Sequence, residues 1–463
     1  MFRTVDVPLW LLLLILAFAG VTFASHFLFP SVRWFFRRRM ERVVAELNKR
    51  LATPIQPFKL ARRHDTIQRL IYDRDVLAAV AEHAKAEGVP EAVAHERALH
   101  YAREIVPAFS ASAYFGFAIG FAKLVSRTLY HVRITHYDDG LEKIDPEATV
   151  VFVMNHRSNM DYVLVTYLVA ERAALSYAVG EWARVWPLRS LIRAMGAYFI
   201  RRKSRDALYR KVLARYVAMA TAAGVTQAVF PEGGLSLDGR LQRPRLGILS
   251  YIQDGYDPEA RDVVFVPVAV NYDRVLEDRV LIEAQRKGER RFRASIPTIV
   301  RFALRYLWQR LRGRFRKFGT AAVGFGTPLS LTEFLARRRR HPTAALGDEL
   351  MRRVAAVMPV LPVPLVAAEL LAAPAPLTEA ALAQAVSKRL EAIGRDGTAA
   401  EVVAEGLRRL RRRRMIVEDA AGIAANPAEA GALGFYAASI AHLPDAAAAR
   451  PAAEPANAAT AAT

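Results

Sequence analysis

Val150-Val-Phe-Val-Met-Asn-His-Arg-Ser-Asn-Met-Asp161 is the stretch that decides the fold. It begins with an apolar run without alternation, which predicts a strand covered on both faces, and then empties into a polar turn carrying an imidazole and a carboxylate. If His156 and Asp161 shared one regular helix, five steps of roughly 100° would set them about 140° apart. The pair makes chemical sense only with His156 in the turn and Asp161 in the first turn of the helix that follows. From there the carboxylate holds one ring nitrogen and leaves the other to accept a proton from an alcohol.

The same form recurs outward from this stretch. Leu175–Val179, Tyr198–Ile200, Thr226–Phe230 and Val263–Val270 are further short apolar runs, mostly separated by segments long enough to hold helices. Residues 129–280 are therefore expected to form an α/β core, a mostly buried sheet flanked by helices. Gly196-Ala-Tyr-Phe-Ile-Arg-Arg-Lys203 ends a strand in three cations, of which Arg201 and Arg202 carry planar forks of donors suited to phosphate. Phe230-Pro-Glu-Gly-Gly-Leu-Ser-Leu-Asp-Gly-Arg240 supplies a second loop at the carboxyl edge of the sheet, where α/β proteins keep their sites. Gly233 and Gly234 let backbone amides approach a ligand, while Glu232 either binds a substrate hydroxyl or locks the loop through a basic partner. In Val264-Phe-Val-Pro-Val-Ala-Val-Asn-Tyr272, Pro267 restricts its neighbours and shapes a pocket wall.

Taken in order, the four blocks Asn155–Tyr162, Gly196–Arg202, Phe230–Leu241 and Val266–Tyr272 resemble those of the glycerophospholipid acyltransferase superfamily. Within it the resemblance is to the membrane-bound glycerol-3-phosphate 1-O-acyltransferases. It implies transfer of a fatty acyl group from acyl-CoA or acyl-ACP, as co-substrate, to sn-glycerol 3-phosphate in phospholipid biosynthesis, with no metal and no other cofactor. By position, His156 is then the general base and Asp161 its orienting partner. Arg157, Ser158, Arg201, Arg202, Glu232, Gly233 and Gly234 contact the acceptor, and Pro267 belongs to the acyl-donor pocket. The third block departs from the pattern: Leu235 and Leu237 stand where basic residues are expected, and Arg240, Arg243 or Arg245 are the cations at hand to compensate. That departure keeps two alternatives open, a 1-acylglycerol-3-phosphate acyltransferase and a catalytically degenerate, membrane-tethered lipid-binding protein.

Composition bounds the rest. The 463 residues contain no cysteine, which excludes disulfides, thiolate nucleophiles and Cys-ligated metal centres. A net charge of +21 fits anionic lipid, phosphorylated substrates or nucleic acid, and no recognised nucleic-acid motif accompanies it. Residues 7–32 carry no Asp, Glu, Lys or Arg, and a basic cluster follows them, so a transmembrane anchor over 7–29 is expected. That reading places a single-pass protein in the cell inner membrane or another cytoplasm-facing membrane, with the catalytic domain cytoplasmic and an anionic phospholipid surface as partner. The expected organisation is a membrane anchor (1–32), a helical front module (33–128), the acyltransferase core (129–280), a basic helical region (281–423) and an Ala/Pro-rich, largely disordered tail (424–463). Within the front module, 109–122 reads equally as an interfacial helix or as a buried core helix.

Overall fold

The opening run becomes β2 (Thr149–Met154), buried at every position, beside β6 (Val263–Tyr272), which is also buried along its whole length. The computed structural model describes residues 8–17, 42, 44–170, 173–180, 188–201, 204, 206–288, 305–306, 308–309, 312–313, 316–337, 341–395 and 397–444. Among them, eight strands form one sheet. The others are β1 (His131–Tyr137), β3 (Ser176–Val179), β4 (Tyr198–Phe199), β5 (Gln227–Val229), β7 (Thr320–Phe325) and β8 (Leu329–Ser330). Their order is β1-β7-β6-β2-β5-β3-β4, with β8 also on β6. The half from β6 to β4 is parallel, whereas β7 and β8 run antiparallel to β6, so the sheet is mixed.

Successive residues of β2 feed opposite layers, which is why the run is apolar throughout. Phe152 and Met154 join Val266, Val268 and Val270 in one apolar layer, covered by helices α5 (Met160–Val169), α11 (Pro362–Ala372) and α14 (Ala430–Ala437). Val151 and Val153 join Phe265 and Val229 in the other. This second layer is covered by α1 (Arg63–Ile71), α2 (Arg74–Glu87), α3 (Glu91–Ile105), α7 (Ala207–Ala222) and α8 (Gly247–Asp254). Pro267 lies opposite Val153, at the point where β6 exchanges β8 for β7 as its antiparallel neighbour. A residue without an N–H fits that gap in the ladder, and its carbonyl accepts from Gly326 N at 2.8 Å.

Two expectations are corrected. Among the described residues no helix is long and apolar enough to cross a membrane. Residues 9–17 are helical, a length of about 14 Å at the usual rise against a hydrocarbon layer of about 30 Å, and residues 7 and 18–29 of the expected anchor lie outside the described residues. The fold class therefore loses its N-terminal transmembrane helix, and the placement as a single-pass protein of the inner membrane falls with it. The sheet also differs from the sequence reading in drawing β7 from beyond residue 281, where helices were expected, and seating it between β1 and β6. Its small residues, Thr320-Ala-Ala-Val-Gly-Phe325, give little β signal of their own.

The 109–122 segment divides by face. It holds a π-helical stretch, Ser112–Ala118, running into α4 (Ile119–Leu129). Tyr114, Ala118 and Ala122 are buried, whereas Phe117 and Phe121 stack on each other and are exposed together with Leu124.

Candidate active site

His156 and Glu232 each follow a strand by two or three residues, and those strands, β2 and β5, are parallel neighbours, so both loops emerge at one carboxyl edge. Asn155 fixes the departure of the first loop: its amide accepts from Val270 N at 2.7 Å and donates to Val270 O at 2.9 Å, extending the ladder by one side chain. Asp161 lies in the first turn of α5, as the spacing requires. His156 Nδ1–H donates to Asp161 Oδ2 across 2.9 Å, with both side chains buried. The same oxygen accepts from Arg157 N at 2.7 Å and Ser158 N at 3.0 Å, and Oδ1 accepts from the Tyr272 hydroxyl at 2.7 Å. Four donors hold one carboxylate, so the orientation of the ring is set by backbone as well as side chain. Phe230 stacks on the imidazole at 4.1 Å between centroids.

The second loop closes against the first through Ser236 N, which donates to His156 O at 2.9 Å. Gly233 takes φ +70°, and a Cβ there would lie 2.5 Å from Arg245 Cδ, so the glycine both turns the chain and admits the Arg245 stem. Leu235 and Leu237 pack as partly buried side chains against the core layer under the site. Glu232 is buried, and its carboxyl is pushed up to about 8, chiefly by burial; the backbone amides of Gln242 and His156 and the Arg157 guanidinium pull the other way.

Arg157 is 2% exposed. Its Nη1 donates to Gly239 O and its guanidinium lies 4.8 Å from the Phe435 ring centroid, while burial draws its pKa down. Arg157 Nε and Nη2 and Glu232 Oε2 have no hydrogen-bond partner. Orphaned donors and an acceptor on buried charged or polar groups carry a desolvation cost of about 1–3 kcal/mol each, so the pocket is built for a polar guest.

Not every expected contact gathers here. Arg201 leaves β4, three places along the sheet from β2, and its fork is taken by Glu104 of α3, at 2.9 Å from Nε and 2.6 Å from Nη2. It lies over Tyr101 and Tyr209 in the other layer, and Arg202 lies outside the described residues. Ser158 Oγ donates to Glu277 Oε2 at 2.7 Å, and Asn159 N to its other oxygen at 3.1 Å.

Tyr272, Glu277 and Phe435 were not assigned from sequence. Tyr272 closes the fourth block and carried that much signal, whereas Glu277 and Phe435 have no local pattern that ties them to residue 156. The basic run after 408 is largely spent internally: Arg409 pairs with buried Asp273, and Arg413 meets Asp278 and Tyr436.

One pH effect follows from Glu232. Its folded pKa lies above the unfolded value of 4.5, so the folded state binds the extra proton and stability falls as pH rises from about 4.5 to about 8. The loss is on the order of 5 kcal/mol at about 1.4 kcal/mol per unit. Glu232→Gln is expected to remove that slope. Urea unfolding of both proteins at about pH 5 and pH 8 checks it, and an equal gap between them at the two pH values would refute the assignment.

Comparison with known proteins bears on this site. A family model described as "Acyltransferase" matches residues 136–271, and one described as "Glycerol-3-phosphate acyltransferase C-terminal region" matches 305–447. A glycerol-3-phosphate acyltransferase of Pseudomonas entomophila is 29% identical over 360 residues, covering 72% of this chain and 42% of the relative. One of Xanthomonas campestris pv. campestris is 29% identical over 304 residues, covering 65% and 33%. The chain thus spans less than half the length of these relatives. The crystal structure of a 1-acyl-sn-glycerophosphate acyltransferase from Thermotoga maritima aligns over 52% of this chain and 77% of that one, at 19% identity and a TM-score of 0.31.

Proposed function

We propose, given that this chain belongs to the glycerophospholipid acyltransferase superfamily, that it transfers a fatty acyl group from a thioester donor, acyl-CoA or acyl-ACP, to the sn-1 hydroxyl of sn-glycerol 3-phosphate. The observation that carries the reading is the buried His156–Asp161 pair at 2.9 Å, set beside a buried guanidinium with two donors unmatched. With Nδ1 committed to Asp161, proton acceptance falls to Nε2. As the acceptor oxygen attacks the thioester carbonyl, its proton passes to Nε2 and a C–O bond forms. The C–S bond then breaks, and the imidazolium returns the proton to the departing thiolate. Asp161 stabilises the imidazolium between those steps without itself taking a proton.

Arg157 is assigned the acceptor phosphate, through Nε and Nη2, with Arg245 beside the Gly233 turn as the second cation. Glu232, protonated at neutral pH, donates to an acceptor oxygen. Arg201 is then a structural cation bound to Glu104 rather than a phosphate contact. A second reading, acylation of 1-acylglycerol 3-phosphate, is favoured by Leu235 and Leu237, whose apolar side chains replace the expected cations of the loop. The deciding experiment offers both acceptors in parallel to the purified protein, with acyl-CoA and with acyl-ACP, and identifies the product. A mono-acyl product from glycerol 3-phosphate is expected. A diacyl product alone would shift the assignment to the second reading, and none from either would remove the activity.

A further inference from the structure

A second basic constellation lies away from His156, where α1 and α3 meet α6 (Leu188–Ala194). Arg63, Arg103, Arg189 and Arg193 line a cavity of about 310 Å³ there. Ile67 and Leu99 form an apolar part of its wall, with Gln68 and His64 beside them. The plain explanation of such arginines is that they cap a helix, and for two of them it holds. Arg63 Nε donates to Val106 O at 3.0 Å, and Arg193 Nη2 to Arg103 O at 3.1 Å and Glu104 O at 2.9 Å, all carbonyls at the end of α3.

Capping does not account for Arg103 and Arg189. Among the described residues Arg103 pairs with Glu96 alone, at 3.6 Å, and Arg189 has no ion pair; both side chains are exposed at the rim of the cavity. Both sit close enough to Arg63 to draw its pKa down, after burial. No carboxylate lines the cavity among the described residues. Like charges gathered around a concave wall repel one another unless an anion shares the space, and guanidinium forks match phosphate in particular.

We propose that this cavity is a second anion site, which takes the phosphate groups of a phosphate ester on its arginines and the ester's organic part against Ile67 and Leu99. An inorganic anion alone would leave the apolar wall of Ile67 and Leu99 without a partner. Two sources carry the chemistry, the nucleotide end of a coenzyme A thioester and a glycerol phosphate. Binding here is separable from turnover, because the lining residues lie on α1, α3 and α6, none of which carries His156 or Asp161.

Calorimetric titration of the full chain with adenosine 3′,5′-bisphosphate and, separately, with glycerol 3-phosphate tests it. Beyond the glycerol 3-phosphate taken up at Arg157, one of the two is expected to bind at this cavity, and the joint substitution Arg103→Ala with Arg189→Ala to weaken that binding roughly tenfold or more. The joint substitution Arg74→Ala with Arg210→Ala, which removes two exposed cations elsewhere, is expected to change it by no more than about twofold. His156→Ala is expected to leave that binding intact, so failure of the catalytic reading and failure of this one are distinguishable. Loss of bisphosphate binding assigns the cavity to the donor, and loss of glycerol phosphate binding assigns it to the acceptor. The proposal is overturned if neither ester binds, if affinity survives the loss of Arg103 and Arg189, or if both pairs of substitutions weaken it alike.

Discussion

His156→Ala is expected to lower the rate of acyl transfer by about 10²–10⁴ with the fold retained, the range found when a positioned base is removed. The size of the effect rests on how completely the ring is committed. Nδ1 is held by Asp161 at 2.9 Å and the face is stacked on Phe230, so the ring is positioned before substrate arrives. Asp161→Asn should come close to the same loss for a different reason. Its Oδ2 accepts from two backbone amides and from the imidazole, and an amide nitrogen turned into that position would present hydrogens to three donors. The measurement is the initial rate of ester formation with labelled glycerol 3-phosphate, alongside a thermal melt of each variant. A His156→Ala protein that melts normally and retains more than about a tenth of the rate would remove the mechanism, since a general base contributes at least that much.

Asp273→Ala is expected to cost about 2–5 kcal/mol of folding stability, because two backbone amides lose their acceptor at about 1–3 kcal/mol each and Arg409 loses one of its two carboxylates. Asp273 is 1% exposed, directly after β6. Its Oδ2 accepts from Thr320 N at 2.9 Å, where β7 begins, and its Oδ1 from Val363 N at 3.1 Å, in the first turn of α11. The Arg409 guanidinium pairs with the same carboxylate from α13 (Ala399–Arg412). One side chain thus ties a sheet strand, its late-arriving neighbour and two helices of the C-terminal region. Its removal leaves two amides without their acceptor and the partly buried Arg409 with Glu405 as its remaining carboxylate. Denaturant unfolding of Asp273→Ala, Arg409→Ala and the double variant measures this, and the double variant is expected to lose clearly less than the sum of the singles. Strictly additive losses would mean that the pair is not coupled.

The C-terminal region reaches the catalytic loops as well. Phe435 of α14 covers Arg157, and Gly239, at φ +85°, has its missing Cβ position only 2.0 Å from Phe435 O. A tail with no chemistry expected of it therefore forms one wall around the buried guanidinium. Nothing in its Ala-rich composition marks that role, because the contact depends on a close approach of two backbones that only glycine at 239 permits.

By itself the sequence determined the strands β2 to β6 and the loop that carries His156 and Asp161. Those features are local: an unbroken apolar run, a polar turn and a five-residue spacing all lie within one strand-to-helix unit. Long-range packing settled that β7 enters between β1 and β6, that Tyr272 and Glu277 support the turn holding His156 and Asp161, and that Arg201 turns to Glu104 instead of the imidazole. Each of these is a pairing between residues far apart in the chain, settled by which side chains share a face of the sheet and by the cost of leaving a buried charge unmatched. Periodicity along the chain records which residues prefer burial. It does not record which partner waits for them there.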